Sequence, residues 1–333
     1  MRSNLERAVD AAEFSCRPLA PVRPVPGLRE DLLQGFARRP RSLPPKYFYD
    51  ARGSQLFERI CATPEYYPCR SEAALLAAHA AELVDLAQPR IVVELGSGNS
   101  RKTCHILSAA ERLGGLREYW PLDVCREALE QAGQRLTRRY PWLRIRALVG
   151  DYLAGLGHLP ATGERRLFLF LGGTIGNFSP QEARAFLTDL RACMGPEDFL
   201  LLGADRVKSA VVLEAAYNDA AGVTAAFNLN LLQVINRELQ ADFDPAGFCH
   251  RALYNRRRMQ IEMLLVARRR QRVHVGALER AFEFARGEAI LTEISRKFTR
   301  RTLTAMLEQA GFTVVRHIEG GEHLFSLVLA RLS

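Results

Sequence analysis

The residues with the most chemical potential fall at the carboxyl ends of apolar runs. Glu94 lies at the end of Ile91–Leu95, Asp123 closes Tyr119–Asp123, Asp151 follows Leu143–Val149, and Asn177 follows Arg166–Leu171. Each run reads as a buried strand of an alternating α/β chain, and open parallel sheets bind ligands beyond the carboxyl ends of their strands. An acid after the second strand suits a ribose diol, because a carboxylate accepts both hydroxyl hydrogens, and Asp151 after the third suits an adenine amino group. One such acid alone is commonly a helix cap. A set at successive strand ends describes a ligand site.

Between the first strand and a helix beginning at Lys102, Gly96 and Gly98 make a tight turn. A dinucleotide fingerprint needs a third glycine where this chain has Arg101, and a phosphate-binding P-loop needs a glycine before Lys102-Thr103 and again meets Arg101. Glu94-Leu-Gly-Ser-Gly98 remains, and it resembles motif I of the S-adenosylmethionine (SAM) methyltransferases. There the glycines let the backbone approach the methionine portion of the cofactor, and no pyrophosphate has to be held.

Five βα units predict a doubly wound, Rossmann-like parallel sheet, whose fifth strand begins at Asp198 and ends at Asp205. Ser179-Pro-Gln-Glu182 is a capping box that starts a helix. After Asp205 the alternation stops. Two helices within 208–237 and a meander over Met259–Phe298 read as an inserted α+β domain, and a helix with a strand pair over 298–333 completes the first sheet. The expected organisation is therefore a SAM-binding core over 71–206 and 298–333, with 207–297 inserted and 1–70 packing with that second domain over the site. The proline-rich stretch 17–26 reads as an extended arm, and the aromatic clusters around Tyr47–Tyr49 and Tyr66–Tyr67 as connections forming a lid or pocket wall.

A chain of 333 residues with 48% hydrophobic and 25% charged residues can bury a substantial core. The net charge of +9 invites a nucleic-acid reading, but the tight basic runs, 256–258 and 268–272, flank the apolar Ile261–Ala267 and look like the solvated ends of a strand. Seven cysteines show no Cys-x-x-Cys pair and no zinc spacing, so reduced thiols and no metal are expected. Neither a signal-peptide core nor a membrane span is visible. A cytoplasmic monomer acting on a small molecule, with no nucleic-acid or membrane partner, is the expectation.

Taken together, Leu43-Pro-Pro-Lys-Tyr-Phe-Tyr-Asp50, Pro64-Glu-Tyr-Tyr-Pro68, the Gly96 turn, Gly172-Gly-Thr-Ile-Gly-Asn-Phe178, Tyr217-Asn-Asp-Ala-Ala-Gly222, Ile261-Glu-Met263 and Thr292-Glu-Ile-Ser295 resemble the amino-acid Nα-methyltransferases typified by the histidine enzyme of ergothioneine biosynthesis. The resemblance implies three methyl transfers from SAM to the α-amino group of L-histidine, giving hercynine. It also implies that Tyr49, Gly96, Lys102, Asp123, Asp151 and Tyr152 hold the cofactor. Asn177 and Tyr217 would grip the substrate carboxylate, Glu293 and Ser295 the imidazole, and Met263 and Tyr66 would line the pocket. Asn99 and Tyr152 stand where the family pattern has Thr and Phe. Glu293 carries the substrate inference: a carboxylate suits an imidazole N–H, whereas a relative acting on tryptophan or tyrosine should lack a buried acid there. No side chain is singled out as a general base. An RNA-binding methyltransferase-like module and an NTPase on the near-miss P-loop are the other classes that the sequence raises.

Overall fold

The computed structural model describes residues 13–320 and 322–333. In chain order it opens with β1 (Phe14–Pro18), α1 (Leu28–Ala37), β2 (Arg41–Ser42), α2 (Ala51–Ala62) and α3 (Tyr67–Ala87). The alternating part follows as β3 (Ile91–Leu95), α4 (Cys104–Leu113), β4 (Glu118–Asp123), α5 (Arg126–Arg139), β5 (Arg144–Val149), β6 (Arg166–Phe170), α6 (Pro180–Cys193) and β7 (Phe199–Asp205). Next come α7 (Ala210–Tyr217), α8 (Val223–Leu239), β8 (Phe248–Asn255), β9 (Gln260–Ala267), β10 (Gln271–Val275), β11 (Arg280–Phe284) and β12 (Ala289–Arg296). The chain closes on α9 (Arg300–Gln309), β13 (Phe312–Glu319) and β14 (Phe325–Leu332).

β3 and β6 are buried along their whole length, because helices cover both faces of a parallel sheet and leave no polar side to alternate with. The large sheet runs β1-β5-β4-β3-β6-β7-β14-β13, with β14 antiparallel between β7 and β13. Strand order reverses between β3 and β6, so their carboxyl ends flank the crevice where such sheets take ligands. The capping box forms as read, Ser179 Oγ accepting from Glu182 N while Glu182 accepts from Ser179 N.

Three features differ from the expectation. The arm was expected to pack with the second domain, yet Phe14–Pro18 pairs in parallel with Ile145–Val149 and extends the large sheet. A proline is tolerated on an edge strand because its missing N–H can face away from the neighbour. The aromatic clusters at 43–57 and 64–68 lie mostly in or against helix starts rather than open connections. Asp50 caps α2 by accepting from Gly53 N at 2.8 Å, and Pro68 sits in the first turn of α3, where no N–H is required. Finally, β8 was missed because its irregular burial hides the two-residue period.

A second sheet runs β2-β12-β9-β8, with β10 and β11 as a separate hairpin. One apolar core gathers Phe36, Phe48, Leu56 and Tyr66 from the N-terminal part with Leu213, Phe227, Phe248, Ile261 and Phe284 from the later elements. Asp50 strengthens that union, accepting from Asn230 Nδ2 at 2.9 Å and pairing with Arg237 at 3.2 Å. No helix among the described residues is long and apolar enough to cross a membrane.

Candidate active site

At the β3 corner Gly96 and Gly98 take φ of +72° and +51°, the left-handed region that glycine enters without strain. This turn folds onto the end of β4. Asp123 accepts from Gly98 N at 2.8 Å and from Cys125 N at 2.9 Å, with acceptor capacity remaining for a ligand hydroxyl. Burial pushes the Asp123 carboxyl above its usual range, and the backbone N–H groups of Cys125, Gly98 and Val124 pull it partly back. Asp151 accepts from Leu153 N at 2.8 Å through one oxygen. The ring of Tyr152 lies against Phe170 and Phe186, with centroids 5.5 and 5.7 Å away, and reaches to within 3.4 Å of where a side chain on Gly96 would begin. Ser97 completes the cradle: its hydroxyl is buried and has no partner among the described residues. Open space above Gly98, an orphan hydroxyl, spare carboxylate lone pairs and an aromatic wall fit SAM, whose adenosine is uncharged.

Two residues of this corner behave differently from the expectation. Lys102, expected on the cofactor, is engaged by Glu72, a fully buried acid of α3 that also accepts from Gly172 N at 2.8 and 2.9 Å. Glu94 is turned into the protein, where it accepts from Thr103 Oγ1 at 2.6 and 2.7 Å and from the Tyr119 hydroxyl. Burial pushes Glu94 up to about 7 against the pull of those hydroxyls, and it ties β3 to β4 and the start of α4. Glu72 needs Gly203 behind it, since a Cβ there would stand 2.1 Å from Glu72 Oε1. Gly203→Ala should therefore cost about 1–3 kcal/mol by overpacking and loosen the Gly172 turn. Urea unfolding with and without S-adenosylhomocysteine measures both effects; an unchanged midpoint would show that Glu72 is not confined.

The substrate residues enter from the second sheet. β12 pairs with β9, and a bulge at Thr292 shifts the register so that Glu293 comes opposite Met263 and Ser295 opposite Ile261. Bulges re-aim side chains, and this one has its own support. Thr292 Oγ1 donates to Asn228 Oδ1 at 2.8 Å, Asn228 Nδ2 reaches His250 Nδ1 at 2.9 Å, and His250 Nε2 reaches the Tyr217 carbonyl at 2.8 Å. The network assigns His250 the neutral form protonated on Nε2, in keeping with burial that lowers its pKa.

From the bulge onward strand alternation sends Glu293, Ser295 and Lys297 to one side. Ser295 is 2.8 Å from the Tyr217 hydroxyl, and Tyr66 packs edge-on against Tyr217 with centroids 5.8 Å apart. Met263 is buried beside them. Glu293 keeps partial solvent access at the floor of this recess, and desolvation by the surrounding protein pushes it up to about 7 while Lys297 draws it down. Its charge is felt by Tyr49, Tyr66 and Tyr217, and Tyr49 in turn by Tyr152, so Tyr49 stands where the two halves meet. Phe57 lies between Tyr49 and Tyr66 at 5.7 and 6.2 Å, forming the aromatic wall. Asn177 arrives on the turn after β6. That turn backs onto β12 so closely that a Cβ on Gly176 would lie 2.7 Å from the Arg296 carbonyl. The Asn177 amide takes no partner among the described residues. Tyr49, Tyr66, Tyr217, Met263, Glu293 and Ser295 thus gather around the second sheet, and Gly96, Asp123, Asp151 and Tyr152 around the β3 corner, with Tyr49 sensing both sets, while Lys102 is turned onto Glu72.

Sequence reading missed the polar layer beneath. Asp205, at the end of β7, accepts from the Tyr67 hydroxyl at 2.8 and 2.9 Å and pairs with Lys208 at 2.6 Å and Lys297 at 2.7 Å. Lys297 could have been found by continuing the two-residue period past Ser295, and Asp205 by its strand-end position. The expectation of reduced thiols is also corrected at one place. The sulfurs of Cys61 and Cys69 are brought into contact, with Cα atoms 5.7 Å apart, where α2 meets α3. A groove of about 550 Å³ on the α4–α5 face, lined by His105, Arg112, Arg135 and Tyr140, contains none of the predicted residues.

A family model described as histidine-specific, SAM-dependent methyltransferase matches residues 28–332. Histidine N-alpha-methyltransferase of Mycobacterium tuberculosis is 47% identical over 289 residues, covering 87% of this chain and 90% of that protein. The enzyme of the same name from Mycolicibacterium smegmatis is 48% identical over 284 residues, covering 85% and 88%. Ergothioneine biosynthesis protein 1 of Neurospora crassa is 32% identical over 268 residues, covering 75% of this chain and 30% of that much longer protein.

Proposed function

The chain belongs to the histidine-specific, SAM-dependent methyltransferase family, and from that premise we propose that it trimethylates the α-amino nitrogen of L-histidine to hercynine, a step of ergothioneine biosynthesis. The observation that carries the substrate is Glu293, a carboxyl that a supported bulge holds at the floor of an otherwise aromatic recess. Tryptophan in that recess would leave the acid against apolar carbon, a costly burial, whereas a histidine ring N–H satisfies it.

SAM would supply a methyl group on a sulfonium: a neutral amine attacks the methyl carbon in line, the C–S bond breaks, S-adenosylhomocysteine leaves as a thioether, and the amine releases a proton to solvent before each further transfer. The protein's contribution is positioning and exclusion of water. On the cofactor side Asp123 takes the ribose hydroxyls, Asp151 the adenine amino group, and Tyr152 packs against the base. Gly96 lets the backbone approach, and Lys102 acts through Glu72 to brace the Gly172 turn. Tyr49 closes the boundary between the cofactor and the substrate. On the substrate side Asn177 and Tyr217 anchor the carboxylate, and Glu293 and Ser295 anchor the ring over Met263. With both ends of the amino acid held, the nitrogen lone pair is the part left free to aim. Each added methyl makes the ammonium larger and greasier, and the faces of Tyr66 and Phe57 stabilise that cation by about 0.5–2 kcal/mol.

Residues 71–206 and 298–333 act as the SAM-binding core and 207–297, with the N-terminal helices, as the substrate-binding part. The enzyme works as a cytoplasmic monomer without nucleic acid. The basic runs lie at the β8–β9 and β9–β10 turns, where Arg269 and Arg270 pair with Asp244 and Glu283 at 2.7 and 3.0 Å. Purified protein given SAM and histidine should yield mono-, di- and trimethylhistidine by mass spectrometry. Turnover of tryptophan or tyrosine with none of histidine would overturn the substrate assignment.

A further inference from the structure

The Lys297 side chain has no exposed surface and spends its three N–H bonds inside the protein, on Asp205 Oδ2 at 2.7 Å, Ser295 Oγ at 2.8 Å and the Tyr217 hydroxyl at 3.0 Å. An ammonium group only donates, whereas a hydroxyl carries one hydrogen and accepts through its oxygen. Contact with Lys297 therefore fills an accepting position on both Tyr217 and Ser295. The Tyr217 hydroxyl also donates to Ser295 Oγ at 2.8 Å, so the Ser295 hydrogen is left for the substrate side. When a substrate offers two acceptors, that mutual bond can be exchanged for two outward ones, because Lys297 keeps both oxygens satisfied from behind.

We propose that Lys297 is the positioning residue of the substrate site: by donating to both hydroxyls it sets Tyr217 and Ser295 as donors toward the substrate, so that the ring pocket reads a nitrogen bearing a lone pair. The inference rests on the histidine reading above and deepens it. Glu293 accepts from the ring N–H, Ser295 donates to the other ring nitrogen, and the pair together recognise a neutral imidazole by one donor and one acceptor. Asp205 holds Lys297 in place and is shared with Lys208, which reaches neither hydroxyl. A pocket built only on Glu293 would accept any aromatic ring that carries an N–H. The donor at Ser295 rejects those whose second nitrogen is replaced by carbon.

The test compares kcat/KM for histidine with that for 2- and 3-pyrrolylalanine, each of which keeps one ring N–H and replaces the other nitrogen by CH. The native enzyme should prefer histidine over the better analogue by about 100-fold or more, since a site with a committed donor rejects a partner that cannot accept. Lys297→Met should reduce that preference to less than about tenfold, mainly through KM for histidine, with affinity for S-adenosylhomocysteine unchanged. Ser295→Ala should do the same. Lys208→Met, which also removes a cation from Asp205 but leaves both hydroxyls directed, should keep the preference. Should Lys297→Met not fold, as judged by stabilisation with S-adenosylhomocysteine, the charge-neutral double variant Asp205→Asn with Lys297→Met replaces it. Full preference retained in the Lys297 variant, or in Ser295→Ala, overturns the inference. A native enzyme that turns over no histidine overturns the substrate reading instead, so the two failures are distinguishable.

Discussion

Glu293→Ala is expected to raise KM for histidine by about 100-fold or more while the affinity for SAM stays within about threefold. The size follows from what the substitution leaves behind: a ring N–H buried in an aromatic recess with nothing to accept it, the situation that gives the strongest discrimination in binding sites. The selectivity follows from position. Glu293 is on β12 of the second sheet, whereas the Gly96 turn belongs to the large sheet, and its charge interacts with Tyr49, Tyr66, Tyr217 and Lys297 rather than with Asp123 or Asp151. Equal losses for both ligands would mean that Glu293 holds the crevice together instead of reading the ring.

The same residue predicts a pH dependence whose sign can be worked out. Burial raises Glu293 to about 7, so in the free enzyme the recess holds a neutral acid below that pH and a carboxylate above it. kcat/KM for histidine should rise through a limb near pH 7, below the further rise expected as the substrate amine loses its proton. Glu293→Gln should lose the part of that limb set by Glu293, leaving the limb of the substrate's own imidazole at about 6.5, and keep the upper one. For stability, the raised value means that the folded protein holds this proton more tightly than the unfolded chain does. The contribution favours the fold below the ordinary carboxylate range and declines as pH rises towards about 7. Glu293→Gln should flatten that part of the stability curve.

How much of this was legible in advance depended on whether one segment carried the signal. β3 and the Gly96–Gly98 turn were readable because five buried apolar residues and two glycines state strand, turn and ligand approach within one short stretch. The Arg101 that excluded phosphate-binding loops was equally local. β1 was not readable, since Phe14–Pro18 becomes a strand through a partner more than a hundred residues away and carries a proline. β8 failed for a related reason: its half-buried His250 serves Asn228 and the Tyr217 carbonyl, so a long-range polar network broke the period that would have marked the strand. Glu293 could be nominated from Thr292-Glu-Ile-Ser295 by family resemblance, but the bulge that aims it depends on Asn228 and on β9 and leaves no local mark. Glu72 is the sharpest case. It sits in an Ala/Leu-rich helix where an acid looks like a solvated face, yet it is fully buried against Gly203 and engages the Gly172 turn and Lys102. Its partners lie on three other elements, and no periodicity within α3 could supply them.

Asp205 is the place where that hidden layer has the largest expected effect on the fold. Asp205→Ala removes the acceptor shared by Tyr67, Lys208 and Lys297, and it leaves the Lys297 ammonium buried without its ion-pair partner. Breaking a buried pair from one side costs about 3–5 kcal/mol, a large part of the roughly 5–15 kcal/mol by which domains are stable. Removing both charges is less harmful than removing one, so Asp205→Ala with Lys297→Met should be more stable than Asp205→Ala alone, which urea unfolding of the two variants would establish. Acid titration gives an independent check. Burial would raise Asp205, but the ammonium groups of Lys297 and Lys208 outweigh it and hold the carboxyl below its usual value. Its stabilisation is therefore present above the ordinary carboxylate range and lost as pH falls through the depressed folded value, and Asp205→Ala should lack that acid-sensitive part. A cost under about 1 kcal/mol for Asp205→Ala would show that water or rearranged side chains reach Lys297, and the rigid footing assigned to Tyr217 and Ser295 would then be wrong.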